Sequence, residues 1–282
     1  MNKMKIIKTI RGMKQFSEEQ KKNGKIIGFV PTMGFLHEGH LSLMRAAEKD
    51  CDIVIVSIYV NPTQFAPTED LDKYPRDFER DKKLCEEVGV DVIFYPSNEE
   101  MYPDGYSTFV KTEKLSEKLC GVSRPTHFRG ITTIVLKLFT IVRPHKSYFG
   151  LKDCQQFIIV KKMIHDLNLD IEIVGCPTVR EEDGLAMSSR NTYLNPEERK
   201  QATVLSRSLK HAKNLFLDGE TDAEKLKKQI SDMINKTSGK IDYVEIVNPN
   251  SLESVKTVSK GDVIALAVFY GKTRLIDNVV LG

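Results

Sequence analysis

The sequence predicts an α/β fold, a doubly wound parallel sheet followed by a smaller C-terminal α+β domain. Three observations predict it. Up to about residue 178, β-branched apolar runs alternate with segments of helical periodicity, the pattern of parallel strands joined by crossover helices. Beyond that point, two lysine-rich helical segments precede three strands with no helix between them. The 282 residues are 40% hydrophobic and 29% charged, which leaves ample apolar area for a large core and excludes a chain disordered as a whole.

Residues 25–30 (KIIGFV) read as the first strand. Residues 40–50 read as a helix, with Leu41, Met44 and Ala47 on one face. Residues 52–60 (DIVIVSIYV) are β-branched almost throughout and read as a fully buried strand. Strand, helix and strand within about 35 residues make a βαβ unit, which requires parallel pairing. The alternation continues with a helix over 77–88 and a short strand over 91–95. An apolar helix over 130–142 and a strand ending at Gly150 come next, then a helix over 152–167 and a strand over 170–174. Further helices are expected over 196–217 and 221–235, and strands over 241–247, 263–270 and 275–281. The boundary falls near residue 178, giving domains 1–178 and 179–282.

Net charge is +3, with both signs mixed along the chain, which does not describe a nucleic-acid surface. Lysines such as Lys225, Lys227 and Lys228 read as a solvated helix face. No run of apolar residues approaches membrane-spanning length, and the N-terminus lacks the apolar centre of a secretory signal. Five cysteines, at 51, 85, 120, 154 and 176, are odd in number and form no CxxC clip. Reduced thiols and a cytoplasmic location are expected.

Four segments could carry chemistry. Residues 31–40 (PTMGFLHEGH) leave the first strand and enter the first helix, where ligands of open parallel sheets bind. A helix N-terminus there offers free N–H groups, and His37 and His40 can face one anion together. Read alone, the segment fits equally an ordinary turn with two surface histidines; zinc fits less well, since HExxH spacing is absent. Residues 150–156 (GLKDCQQ) place Lys152 against the helix dipole, which makes sense if it points at an anion; pairing with Asp153 in solvent is the plainer alternative. Residues 187–191 (MSSRN) offer two hydroxyls and a guanidinium, as a phosphate loop or as a polar linker. Residues 61–65 (NPTQF) put Gln64 at a strand end, where burial requires a partner. Residues 124–130 (RPTHFRG) add positive charge before another helix. The first, second and fourth segments fall at strand exits on one sheet edge, so together they describe a polyphosphate site flanked by neutral amides.

PTMGFLHEGH resembles the HxGH nucleotide motif of the nucleotidylyltransferase and class I synthetase superfamily, and MSSRN resembles its KMSKS-type loop. NPTQF, HFRG, FGLKDCQQ and PTVREEDGLAMSSRN, in this order, are similar to the pantothenate synthetase family along essentially the whole chain. The resemblance implies a Rossmann-like fold and the joining of pantoate to β-alanine at the expense of ATP, giving pantothenate, AMP and pyrophosphate. It implies that Met33, Gly34, Phe35, Leu36, His37, Glu38, Gly39 and His40 bind ATP, with both histidines on the phosphates and His40 as proton donor. It implies ATP contacts from Gly150, Leu151, Lys152 and Asp153, from the backbone of Val179 against adenine, and from Met187, Ser188, Ser189 and Arg190 over the nucleotide. His37, His40, Lys152 and Arg190 are the implied catalytic set. Gln64 and Gln156 would hold pantoate, Gln64 also bordering β-alanine. Asp81 would contact Mg²⁺, although Arg80 stands where some relatives have a second acid. The family is typically a homodimer, acting on small molecules without nucleic acid or membrane.

The scheme expected from this resemblance has two steps, pantoyl adenylate formation and then attack by β-alanine, with no protein nucleophile and so no essential cysteine. A nucleotidylyltransferase with a phosphate-bearing acceptor is the nearest rival. It would want Arg and Lys where this chain offers Gln64, Gln156 and Met33.

Overall fold

The structure is a computed structural model that describes residues 4–67 and 69–282. In chain order, β1 (Lys5–Ile7), α1 (Ile10–Lys22), β2 (Ile27–Thr32), α2 (Glu38–Asp50) and β3 (Ile53–Ile58) come first. They are followed by α3 (Phe78–Glu87), β4 (Val92–Phe94), the short α4 (Asn98–Met101) and α5 (Cys120–Ser123), and α6 (His127–Val142). Next come β5 (Lys146–Gly150), α7 (Cys154–Asp166) and β6 (Glu172–Cys176). The remainder holds α8 (Pro196–Gln201), α9 (Val204–Leu217), α10 (Ala223–Ile234), β7 (Lys240–Val247), β8 (Val263–Tyr270) and β9 (Thr273–Val280).

Six strands form one parallel sheet in the order β1-β4-β3-β2-β5-β6, and three form an antiparallel sheet in the order β7-β8-β9. The first sheet is covered on both faces, which explains its near-continuous apolar strands. Ile27 and Phe29 of β2, Ile55 of β3 and Phe94 of β4 join one apolar cluster with Met13 of α1, Ile131 of α6 and Ile159 of α7. Their neighbours Val30, Val56 and Ile93 join a second cluster with Met44 of α2 and Cys85 of α3. The period-two alternation of strand side chains thus feeds two separate helical layers. The antiparallel sheet packs on α9 and α10 around Leu209, Leu226, Ile230 and Leu266. Val247, Leu252, Val263 and Ala265 extend the first cluster across from the C-terminal region.

Several local features differ from the sequence expectation: the strand expected over 25–30 is β2, two residues later, and the short α4 and α5 are not anticipated. The sequence pattern does not anticipate β1 or α1. β1 is three residues long, and α1 is mostly exposed, burying Met13 and Ser17. The helix expected over 196–217 is two, since the chain turns at Ala202 and Thr203 so that Val204, Leu205 and Leu209 reach the second core. β6 starts two residues later than expected because the chain first closes α7. Asn168 takes φ +51°, and the Leu169 N–H donates to the Ile164 carbonyl.

Candidate active site

β2 and β5 lie side by side, with Gly28 opposite Lys146 and Phe29 opposite Ser147. From β2 the chain winds towards β3 and β4, whereas β5 and β6 extend the other way. Such a switch point opens a crevice beyond the carboxyl ends of the strands. It brings together the loop after β2 and the turn after β5, which are far apart in sequence.

One cavity of about 1200 Å³ occupies this crevice. Met33, His37, Gly39 and His40 line it from the first loop, and Gln64 from the end of β3. Gly150, Lys152, Asp153 and Gln156 line it from the turn after β5. Val179, Met187, Ser188, Ser189 and Arg190 line it from the segment after β6. Gly34, Phe35, Leu36, Glu38 and Leu151 are not on its wall. They shape the loops from behind: Leu36 is buried in the core beside α2, the Phe35 ring carries the Arg80 guanidinium at 5.1 Å, and Glu38 pairs with Arg45.

The first loop is built around two side chains. Thr32 Oγ1 donates to the Ser57 carbonyl at 2.7 Å and accepts from the Gly34 N–H at 3.2 Å. Gly34 then takes φ +81° and Phe35 φ +49°. That left-handed pair strains a side-chain-bearing residue. Asp81 of α3 offsets the strain, its two carboxylate oxygens accepting the Phe35 and Leu36 N–H groups, each at 2.7 Å. The Asp81 side chain is 1% exposed, and burial pushes its pKa up against the pull of those amides. A carboxylate so enclosed and so engaged does not fit a resident metal. Among the described residues, no cluster of three or more His, Cys, Asp or Glu side chains could hold one.

His37 caps α2. Its Nδ1 accepts from the Gly39 N–H at 3.1 Å, and His40 Nδ1 accepts from the His37 N–H at 3.3 Å. Each neutral ring therefore carries its proton on Nε2, as the hydrogen bonds require. The two rings lie 4.1 Å apart. Burial, then the neighbouring Lys152 charge, lowers the His37 pKa to about 4; burial and His37 itself push His40 well below its usual value. The imidazoles are accordingly neutral N–H donors at pH 7, and Lys152 supplies the formal charge. Both rings can thus donate to an anion from Nε2 without carrying charge, and two adjacent, partly buried rings do not readily both hold a proton. An NMR titration should place the His37 midpoint near pH 4, not 6.5. Unfolded His37 binds a proton below pH 6.5 that the folded ring refuses until about pH 4. Folding stability should fall through that window as pH drops, by about 3 kcal/mol for this ring alone at its lower end. A His37 midpoint at or above 6.5, with urea midpoints flat from pH 7 to 4, would contradict it.

Gln64 is oriented by its neighbours. Asn61 Nδ2 donates to Gln64 Oε1 at 3.1 Å and to the Gly130 carbonyl at 3.2 Å, while Asn61 Oδ1 accepts from Tyr102 Oη at 2.9 Å. The Gln64 NH₂ end is therefore the donor end, and it donates to Met33 Sδ at 2.9 Å. The Gln64 backbone carbonyl is 2.9 Å from His127 Nδ1, and His127 Nε2 is 2.9 Å from Arg124 Nη1. Arg124 can only donate, so His127 accepts at Nε2 and donates from Nδ1. Arg124 in turn binds both Glu69 oxygens, at 2.6 and 2.7 Å. Gln155 and Gln156 both line the cavity, but the Gln155 amide is buried and already bonded to backbone at Leu115, Lys118 and Cys120.

The Arg190 guanidinium faces the Asp70 carboxylate, at 3.0 and 3.1 Å, with the Tyr74 ring at 5.9 Å. Ser189 Oγ donates to the Phe35 carbonyl at 3.4 Å, joining the MSSRN segment to the first loop. Burial pushes the Cys85 and Cys154 thiols up to about 12 and raises Cys51 and Cys176, so these four sulfurs are protonated and poor nucleophiles at pH 7. Among the described residues, no helix is long and apolar enough to cross a membrane.

Sequence reasoning leaves Asn61, Asp70 and Tyr74 without a role, and takes Arg124 and His127 only as positive charge. The one available signal is proximity: Asn61 stands three residues from Gln64, the spacing that lets an amide reach an amide across one turn.

A sequence profile of the Pantoate-beta-alanine ligase family matches residues 5–280. The pantothenate synthetase of Thermotoga neapolitana is 59% identical over 280 residues, 99% of this chain and 100% of that protein. That of Acetivibrio thermocellus is 58% identical over 279 residues, 99% of each. The crystal structure of pantothenate synthetase from Thermus thermophilus superposes with a TM-score of 0.93 at 41% identity, covering 98% of this chain and 99% of that one. The pantoate-beta-alanine ligase of Francisella tularensis, solved in complex with β,γ-ATP and β-alanine, superposes with a TM-score of 0.81 at 34% identity over 99% and 98%. With a two-sheet fold shared along its length and a matching profile end to end, the chain belongs to the pantoate–β-alanine ligase family.

Proposed function

We propose that this protein condenses pantoate with β-alanine at the expense of ATP, through a pantoyl adenylate, releasing pyrophosphate and then AMP. The observation that carries the reading is that His37, His40 and Lys152 line one cavity together with Met33, Gln64 and Gln156. The first three suit a triphosphate. The other three suit a hydroxy acid with apolar methyl groups, and the oriented Gln64 NH₂ suits its oxygen atoms. The ligands of the Francisella relative support ATP and β-alanine as occupants.

In the first step a pantoate carboxylate oxygen attacks the α-phosphorus, and the bond to the leaving pyrophosphate breaks. Charge grows on the leaving oxygens, where the two Nε2–H donors and the Lys152 ammonium stabilise it from fixed positions. In the second step the neutral amine of β-alanine attacks the acyl carbon of the mixed anhydride, and AMP leaves with the P–O bond intact. Asp153 would sit near the ribose and Val179 against adenine. Residues 179–282 would act as a lid domain, with Met187 to Arg190 closing over the nucleotide and excluding water from the anhydride. Arg190 reaches the phosphates only by exchanging Asp70 for them. Magnesium enters as part of the ATP substrate, and no step is routed through a protein-held ion.

Incubation with ATP and pantoate should release pyrophosphate without free AMP, and AMP should appear only when β-alanine is added. AMP transfer to a phosphate-bearing acceptor, indifferent to β-alanine, would favour a nucleotidylyltransferase instead.

A further inference from the structure

We infer that Asn278 of β9 is a positioning residue for Lys152, so that the C-terminal sheet sets where the lysine stands. The inference rests on the role proposed above for Lys152. Asn278 Nδ2 donates to the Leu151 carbonyl at 2.9 Å and to the Lys152 carbonyl at 2.8 Å. A carboxamide nitrogen has two hydrogens, and both are used here on consecutive peptide groups. Two fixed carbonyls in succession fix the backbone at Lys152, from which its four-carbon stem reaches the cavity. Asn278 is 8% exposed, so water does not readily replace these bonds.

The same strand also holds the other nucleotide-facing segment. The Asn278 N–H donates to Asp277 Oδ1 at 2.8 Å, and the Asp277 carboxylate accepts from Arg180 at 2.7 and 2.9 Å. Arg180 donates as well to the Gly184 carbonyl at 3.1 Å and pairs with Ala186, at the root of the segment that carries Met187 to Arg190. Consecutive residues of a strand point to opposite sides. One dipeptide, Asp277-Asn278, can therefore grip the Lys152 turn with one side chain and the MSSRN hairpin with the other. The position of the C-terminal sheet is transmitted to Lys152 through this joint.

The test uses the two half-reactions. Asn278→Ala should slow single-turnover pyrophosphate release from ATP and pantoate by about tenfold, the size of effect that a sub-ångström misplacement of one charge produces. The reaction of supplied pantoyl adenylate with β-alanine should stay within twofold of wild type. In a Lys152→Ala background, Asn278→Ala should change adenylation less than twofold further, since the group it positions is gone. Equal losses in both half-reactions, or a full further tenfold loss in the Lys152→Ala background, would overturn the inference. So would a wild-type rate for Asn278→Ala beside a disabled Lys152→Ala. A Lys152→Ala enzyme that adenylates normally would overturn the underlying reading, and the positioning role with it. Should Asn278→Ala not fold, Asn278→Ser, which keeps one donor, makes the same comparison with a smaller expected loss.

Discussion

Lys152→Ala is expected to slow pyrophosphate release from ATP and pantoate by about 100-fold or more, the usual consequence of losing one transition-state charge contact. The expectation follows from what the other candidates are doing. His37 and His40 are neutral, because burial holds their pKa values down. The Arg190 guanidinium is engaged by Asp70. Among the described residues, the carboxylate that faces Lys152 is Asp153, at 3.9 Å, too long for a hydrogen bond. It is therefore the positive charge most available to the growing negative charge. The second half-reaction, started from pantoyl adenylate and β-alanine, should be almost unaffected, since no triphosphate is present to stabilise. The substitution should also raise the His37 titration midpoint, because the Lys152 charge is one of the two main causes that lower it. Quenched-flow measurement of pyrophosphate and an NMR titration check the two effects separately. A single-turnover rate near wild type would remove Lys152 from the mechanism.

What is legible in the sequence, and what stays hidden there, separates along range. The βαβ unit around β2, α2 and β3 is readable because its evidence is local: an apolar run, a helical face, another apolar run. The shared placement of His37, His40 and Lys152 around one cavity is readable because strand exits in an open parallel sheet are ligand positions whatever the detail of the loops. The role of Asp81 is not readable. It belongs to α3 by sequence, yet it serves a loop 45 residues earlier, and only the folded chain brings its carboxylate to the Phe35 and Leu36 amides. Asn278 is hidden for the same reason, lying 126 residues from Lys152. β1 escapes on other grounds: three residues paired with β4 at the edge of the sheet leave too little periodicity to detect. α1 has a signal, an N-capping Thr9 ahead of Ile10, Met13 and Phe16 at helical spacing, but the lysines and glutamates around it mask that signal. Arg190 marks the limit of carrying a role over by motif. Its place in the sequence says that it can face the nucleotide, while its partner Asp70 comes from a loop far away in the chain.

Gly130→Ala carries the second large expected effect, and it runs against helix propensity. Gly130 sits in the first turns of α6, where alanine would ordinarily stabilise a helix by about 1 kcal/mol. Here a Cβ would stand 2.4 Å from the Thr63 carbonyl oxygen and 2.6 Å from both the backbone nitrogen and the Cα of Gln64. These neighbours are backbone and cannot rotate away, so the 62–64 turn and α6 must part. Parting them stretches the Asn61 bond to the Gly130 carbonyl, and Asn61 is the group that orients the Gln64 amide. The expected result is a loss of about 2 kcal/mol of stability, as for overpacked cores. With it should come a fall on the order of 100-fold in kcat/KM for pantoate, as Gln64 is displaced by about an ångström. ATP binding should change far less, because the loop after β2 and the turn after β5 do not rest on this contact. Thermal unfolding and steady-state kinetics against each substrate check the split. Wild-type stability together with an unchanged KM for pantoate would mean that the turn carrying Gln64 is not held by its packing on α6, and the account of how this glutamine is aimed would have to be abandoned.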